Sequence, residues 1–158
     1  MRFHVWIGAL LLMTLAGVFG CRKPAETLEA NPILAAYDTE ADWSDAQHVI
    51  SLNYQQAQGK RIFYQQCVWC HADATPAGPS NRSNLTPVPP LLNDGATLNA
   101  ETDGYIQNIV TLGGTAMGKS PMMPPYGRML SAEEIRSVIA FARAMAQPPY
   151  QPPARGGS

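Results

Sequence analysis

The chain has 158 residues, and its 11 Lys and Arg stand against 12 Asp and Glu for a formal net charge of −1. That balance provides no basic surface for nucleic acid and no long charge run. Fourteen prolines and 13 glycines, gathered into stretches that read as loops or tails, leave room for a single domain of roughly 100 residues, whose modest apolar core a buried cofactor would enlarge.

At the N-terminus Arg2 precedes the apolar run Phe3 to Phe19, broken only by His4 and Thr14. A short basic start, an apolar stretch and a small residue before a break form the pattern of an export signal. The run is short for a spanning helix, which needs about 20 apolar residues. The stretch Val18-Phe19-Gly20-Cys21 resembles the lipobox of bacterial lipoproteins, in which the cysteine is lipidated and becomes the new N-terminus. Gly20 and Val18 fit that pattern, whereas Phe19 is larger than the family prefers. The resemblance implies a signal peptide over residues 1–20 and lipidation at Cys21; the alternative is an uncleaved anchor helix with an incidental Cys21. Both readings tether the protein to a membrane.

Residues 21–51, with Pro24, Pro32 and scattered acids, read as a polar tether. Ile33, Leu34 and Tyr37 offer at most one helical turn against the domain. The pattern becomes helical from Leu52 to Cys67, where Gly59, Phe63 and Cys67 fall on one stripe with Ile62 alongside. Glycine inside a helix costs about 1 kcal/mol relative to alanine, so Gly59 predicts the close approach of another helix.

The sequence Cys67-Val68-Trp69-Cys70-His71 is the attachment signature of c-type haem. Residues i and i+3 share one face of a helical turn, about 5–6 Å apart. Thiols so placed can form thioethers with the two vinyl groups on one haem edge, and His71 then turns towards the iron as its proximal ligand. A zinc site would have to recruit His48 to Cys67, Cys70 and His71, a forced set. A thioredoxin-like pair would need a strand-helix-strand setting, and a structural disulfide explains neither the spacing nor His71. Haem of this kind is attached outside the bacterial inner membrane, which agrees with the export signal.

The longer pattern Gly59-x-x-x-Phe63-x-x-x-Cys67-x-x-Cys70-His71 resembles the first helix of class I cytochrome c. The resemblance spans residues 52–146. It implies an all-α fold, a small domain of three or more helices wrapped around one covalently bound haem c, with Gly59 and an aromatic packing against the last helix. It also implies that a backbone carbonyl near a proline orients the proximal imidazole, with Pro79 and Pro90 as candidates in the Pro- and Asn-rich loop from Ala72 to Asn99.

A second helix is predicted from Glu101 or Thr102 to Leu112, with Tyr105, Ile106, Ile109 and Val110 on its apolar face and Gly113-Gly114 ending it. In the family the distal ligand is a methionine in the loop between the last two helices, usually followed by proline. Met123-Pro124-Pro125-Tyr126-Gly127 resembles that loop and makes Met123 the implied sixth ligand; Met122 and Met117 are the alternatives. Ser131-Ala132-Glu133-Glu134 is a capping box, and Ile135, Val138, Ile139, Ala142 and Met145 follow at helical spacing. Phe141, near that stripe, is the expected partner of Gly59 and Phe63. Residues 147–158, with Pro148, Pro149, Pro152 and Pro153 ahead of a Gly-Gly pair, read as a flexible tail, with docking within a larger complex as the alternative.

The expected function is single-electron transfer by a membrane-tethered carrier on the periplasmic side, exchanging electrons with redox proteins of a respiratory or photosynthetic chain. No constellation of acid, base and nucleophile suggests an enzyme. Two alternatives stand beside it: a fixed cytochrome c subunit of a larger membrane-bound oxidoreductase, and a five-coordinate haem enzyme or gas sensor. Lys60, Arg61, Lys119 and Arg128 read either as a docking frame or as ordinary solvated charges.

Overall fold

A computed structural model describes residues 36–152. The Arg2–Cys21 segment, most of the tether and the last residues of the tail lie outside the described residues. Among the described residues no helix is long and apolar enough to cross a membrane.

The first described elements are two short strands, β1 (Asp38–Ala41) and β2 (Val49–Leu52), paired antiparallel with Asp38 opposite Leu52 and Ala41 opposite Val49. This hairpin occupies the end of the segment expected as tether. Its turn is built from side chains: Asp42 accepts from the Ser44 N–H at 2.8 Å, and Asp45 accepts from the Gln47 N–H at 2.9 Å. Such local carboxylate-to-backbone bonds favour turns over regular structure. Each strand has only four residues, and β1 reads Asp-Thr-Glu-Ala, so no apolar alternation announces it. Pairing and packing on the neighbouring helix supply what local pattern does not. Lys60 fastens the hairpin by donating to the Thr39 carbonyl, with Nζ 3.5 Å from both Asp38 Oδ2 and Glu40 Oε2. Lys60 thus serves the hairpin as a structural cation.

Helix α1 runs from Tyr54 to Gln66. It starts two residues after the expected Leu52 because Asn53 caps it: Asn53 Oδ1 accepts from the Gln56 N–H and Gln56 Oε1 from the Asn53 N–H, each at 2.9 Å. Leu52 is freed to end β2, where it is fully buried. The one-turn helix α2 (Val68–His71) follows directly, then the two-residue strands β3 (Ala74–Thr75) and β4 (Gly78–Pro79) and a 3-10 turn at Arg82–Asn84. Short α3 (Gly95–Leu98), α4 (Asp103–Ala116) and α5 (Ala132–Met145) complete the order. The expectation of an all-α fold is thus corrected: the domain is mainly helical but carries two small antiparallel sheets.

The core forms where α1 crosses α5. A β-carbon at Gly59 would overlap the Ser137 carbonyl, so only glycine lets the two backbones come this close. One turn on, Phe63 meets Phe141 with ring centroids 5.4 Å apart and Trp43 at 5.6 Å. Leu52, Phe63, Val68, Ala72, Phe141 and Met145 make one buried cluster. Burying a side chain such as Phe63 contributes about 1.5–3 kcal/mol, and each aromatic pair about 0.5–1.5 kcal/mol more. Helix α5 begins at the expected capping box, with Ser131 Oγ accepting from the Glu134 N–H at 3.2 Å and Glu134 Oε2 accepting from the Ser131 N–H at 2.8 Å.

Two features tie the end of α5 to the rest of the domain. Arg143, on α5, is buried and donates to the Leu98 carbonyl at 2.7 Å, the Glu101 carbonyl at 2.6 Å and Asp103 Oδ1 at 2.8 Å. It thereby ties α5 to the chain between α3 and α4. The start of the supposed flexible tail is docked: Gln147 N–H donates to the Asn93 carbonyl at 2.9 Å, Gly95 N–H to the Gln147 carbonyl at 2.8 Å, and the Tyr150 ring lies 3.9 Å from the Arg143 guanidinium carbon.

Candidate functional site

Helix α1 ends on Cys67, whose N–H still donates to the Phe63 carbonyl at 2.8 Å, while the N–H groups of Cys70 and His71 donate to the Cys67 carbonyl at 3.1 and 3.0 Å. One tight turn therefore brings Cys67, Cys70 and His71 together. Both thiols are free rather than joined in a disulfide. The Cys67 thiol is pushed up to about 12, chiefly by burial and secondarily by Cys70. Burial thus disfavours charge on the Cys67 sulfur, which an uncharged thioether does not carry.

His71 Nδ1 lies 2.9 Å from the carbonyl oxygen of Pro90. A carbonyl only accepts, so the proton resides on Nδ1 and the Nε2 lone pair is free to ligate a metal. Burial lowers the imidazole's pKa, the Pro90 bond acts in the opposite sense, and Arg82 lowers it further, which favours the neutral, ligating form. The His71 carbonyl in turn accepts from the Leu92 N–H at 3.2 Å. Of the two candidate prolines, Pro90 is the one in contact; Pro79 sits in β4 opposite Ala74.

The methionine loop is held by a break in α4. Gly113 has φ of +79° and ψ of 168°, conformations that only glycine adopts without strain. Beyond the break the Gly114 N–H donates to the Met123 carbonyl at 2.9 Å instead of to its own helix. The helix carbonyls left without partners are taken up by the loop, with the Tyr126 N–H donating to Val110 at 2.9 Å and the Gly127 N–H to Thr111 at 3.1 Å. Gly113 and Gly114, expected as a helix end, are thus the floor on which the loop rests; a β-carbon on Gly113 would lie 2.8 Å from the Pro125 nitrogen. Tyr126 is buried and donates to the Gln66 carbonyl at 2.9 Å, joining the loop to the residue before Cys67. Its place in Met-Pro-Pro-Tyr-Gly is the only sequence signal for that role. Met123 is half-buried, Met122 and Met129 are 59 % and 63 % exposed, and Met117 is the C-cap of α4.

Helix α4 buries no side chain, its only buried residues being Gly113 and Gly114. Tyr105, Ile106, Ile109 and Val110 stay half-buried, and Leu112 is 52 % exposed. An apolar helix face that protein covers only in part fits a flat apolar group such as haem. His48, the ligand that a zinc reading requires, is committed elsewhere, its Nδ1 2.9 Å from Asp42 Oδ2 on the hairpin. Cys67, Cys70 and His71 share a turn, but among the described residues no three His, Cys, Asp or Glu side chains are placed so that they could hold a metal ion between them.

The helical crossing at Gly59, the cysteine–histidine turn and the proline-anchored imidazole define a class I c-type cytochrome. The chain belongs to the family described as cytochrome c oxidase, cbb3-type, subunit III, which matches residues 55–141, more than half of its length. No curated protein and no solved structure matches the chain. The match begins inside α1 and ends inside α5, leaving out the β1–β2 hairpin and the docked tail. Membership makes this a haem protein of electron transfer with covalently bound haem c.

Proposed function

We propose that the protein is a monohaem electron carrier, exported and tethered to the bacterial membrane with its haem domain on the periplasmic side. Cys67 and Cys70 form the two thioethers, His71 is the proximal ligand through Nε2, and Met123 is the distal ligand, with residues 52–146 wrapped around the group. The observation that carries this reading is the Nδ1 bond to Pro90, which leaves Nε2 as the free ligating nitrogen beside two thiols on one turn. The exposure of Met122 and Met129 and the glycine floor under Met123 support the choice of methionine.

When bound, the haem iron takes up and releases one electron. The chain's part is to keep the iron's two ligands in place in both states. The Pro90 carbonyl orients one ligand, and Gly113, Gly114 and Tyr126 position the loop that presents the other. His71 and Met123 together would leave no position on the iron for substrate or gas. Export rests on the Arg2–Phe19 run and the tether on Cys21, through lipid or through a retained helix.

The family description favours a second reading, in which the same domain is a fixed subunit of an oxidase complex. A haem-stained native gel of gently solubilised membranes separates the two. Haem staining near the monomer's mass fits the carrier; a band of several hundred kilodaltons fits the assembled subunit and excludes a free shuttle. Mass spectrometry of the mature protein tests the lipid at Cys21, and carbon monoxide binding to the ferrous protein would overturn the six-coordinate iron.

A further inference from the structure

We propose that Arg82 is a positioning residue for His71, clamping the Pro89–Pro90 segment so that its carbonyl holds the proximal imidazole. In Pro87-Val88-Pro89-Pro90 three of the four residues lack an N–H. The prolines cannot anchor this segment through their own donors, and their carbonyls must be held from outside. Two side chains hold the last two: Arg82 Nε donates to the Pro89 carbonyl at 2.8 Å, and His71 Nδ1 meets the Pro90 carbonyl at 2.9 Å.

The second arm of the guanidinium, Nη1, reaches Asp73 Oδ1 at 2.9 Å, two residues after His71. One side chain therefore joins the leg of the loop that leaves His71 to the leg that returns to it. Arg82 is itself fixed, because its N–H donates to Ser80 Oγ at 3.1 Å and Ser80 Oγ donates to the Ala72 carbonyl. Its side chain is 22 % exposed against 71 % for Asp73, so the clamp is the sheltered partner of the pair. Hydrogen bonds from a charged donor are about twice as strong as neutral ones, and a planar fork reaches two acceptors at once where an ammonium does not.

A firm Nδ1–H bond gives the imidazole more anionic character and favours ferric iron. Loosening the clamp should therefore raise the reduction potential. Removing a nearby positive charge does the reverse, since that charge disfavours the ferric state. The two roles of Arg82 thus have opposite signs, and Arg82→Lys, which keeps the charge and loses the fork, separates them.

The inference rests on His71 being the iron ligand. That reading fails on its own terms if the ferric wild-type holoprotein shows no hyperfine-shifted imidazole N–H in its proton spectrum. With the resonance present, its solvent exchange and the midpoint potential are measured in wild type and Arg82→Lys. The expected result is exchange about fivefold faster, the weight of one hydrogen bond, together with a higher potential. Any other combination, including wild-type values or a lowered potential, overturns the proposal. Should Arg82→Lys fail to take up haem, Asp73→Ala removes one arm of the clamp at an exposed site; because loss of that negative charge raises the potential by itself, the N–H exchange alone decides there, faster exchange supporting the clamp and wild-type exchange overturning it.

Discussion

Gly59 lies against the backbone of Ser137 so closely that a β-carbon at position 59 would overlap the Ser137 carbonyl and stand 2.9 Å from Phe141 Cβ. The obstacle is mostly main chain in the middle of a helix, which cannot move aside as a side-chain tip does. Gly59→Ala gains about 1 kcal/mol of helix propensity. Against that stands overpacking, which costs about 1–3 kcal/mol and here the upper part of that range. A net loss of about 2 kcal/mol is expected in denaturant unfolding of the holoprotein, with the α1–α5 crossing forced apart; an unchanged midpoint would contradict the crossing.

Gly114 offers a more local probe. A β-carbon there would overlap the Ser120 carbonyl and lie 3.2 Å from Met123 Cβ, so Gly114→Ala should displace the methionine loop and leave Cys67, Cys70 and His71 undisturbed. The expected phenotype is normal covalent haem content with a weakened near-infrared sulfur-to-iron band in the ferric protein. Met123→Ala should abolish that band and lower the potential, because a thioether ligand raises it. A Met123→Ala protein that keeps both properties would move the assignment to another methionine.

Acid should loosen the link between the hairpin and the C-terminal exit. Asp42 accepts from the Ser44 N–H at 2.8 Å and from Gln147 Nε2 at 3.3 Å, and it lies 2.9 Å from His48 Nδ1. The His48 bond is the largest cause holding its carboxyl below the ordinary value of 3.8, followed by the Ser44 bond. A carboxyl depressed in the folded state contributes stability that is present above its unfolded value and lost as pH falls through the folded one. Asp42→Asn should therefore be less stable than wild type at neutral pH. The gap between the two should close below about pH 4 when unfolding midpoints are compared across pH. A gap that persists in acid would place the Asp42 contribution in packing rather than charge.

Covalent attachment has a direct check. Wild-type haem should stay with the polypeptide in acidified butanone, with a mass increase of one haem per chain. Changing both Cys67 and Cys70 to alanine should release it, and release from the wild type would contradict thioether bonding.

Much of the site was legible along the chain because attachment chemistry is local. Cys67, Cys70 and His71 lie on one turn, and no distant residue is needed to bring them together. Ser131 and Glu134 announced α5 for the same reason, since a capping box closes within four residues. Gly59 and Phe63 could be read as a contact surface because helical spacing puts them on one stripe, and Phe141 proved to be on the facing helix. The β1–β2 hairpin was not legible: β1 carries no apolar alternation, and what fixes it is Lys60 and Tyr64, more than 20 residues away in sequence, with Tyr64 Oη donating to Glu40 Oε1 at 3.1 Å. The same holds for Tyr126, which reaches back to Gln66, and for Arg143, which spans from α5 to Asp103.

The sequence by itself determined that Cys67, Cys70 and His71 share one turn, because residues three and four apart are neighbours on a helix. Only the tertiary structure decided which proline orients His71, what the paired glycines of α4 are for, and that Gln147 and Tyr150, just after α5, dock on the domain. Each of those depends on a backbone carbonyl meeting a donor from a remote segment, and every residue carries such a carbonyl, so residue identity alone does not say which one will be used.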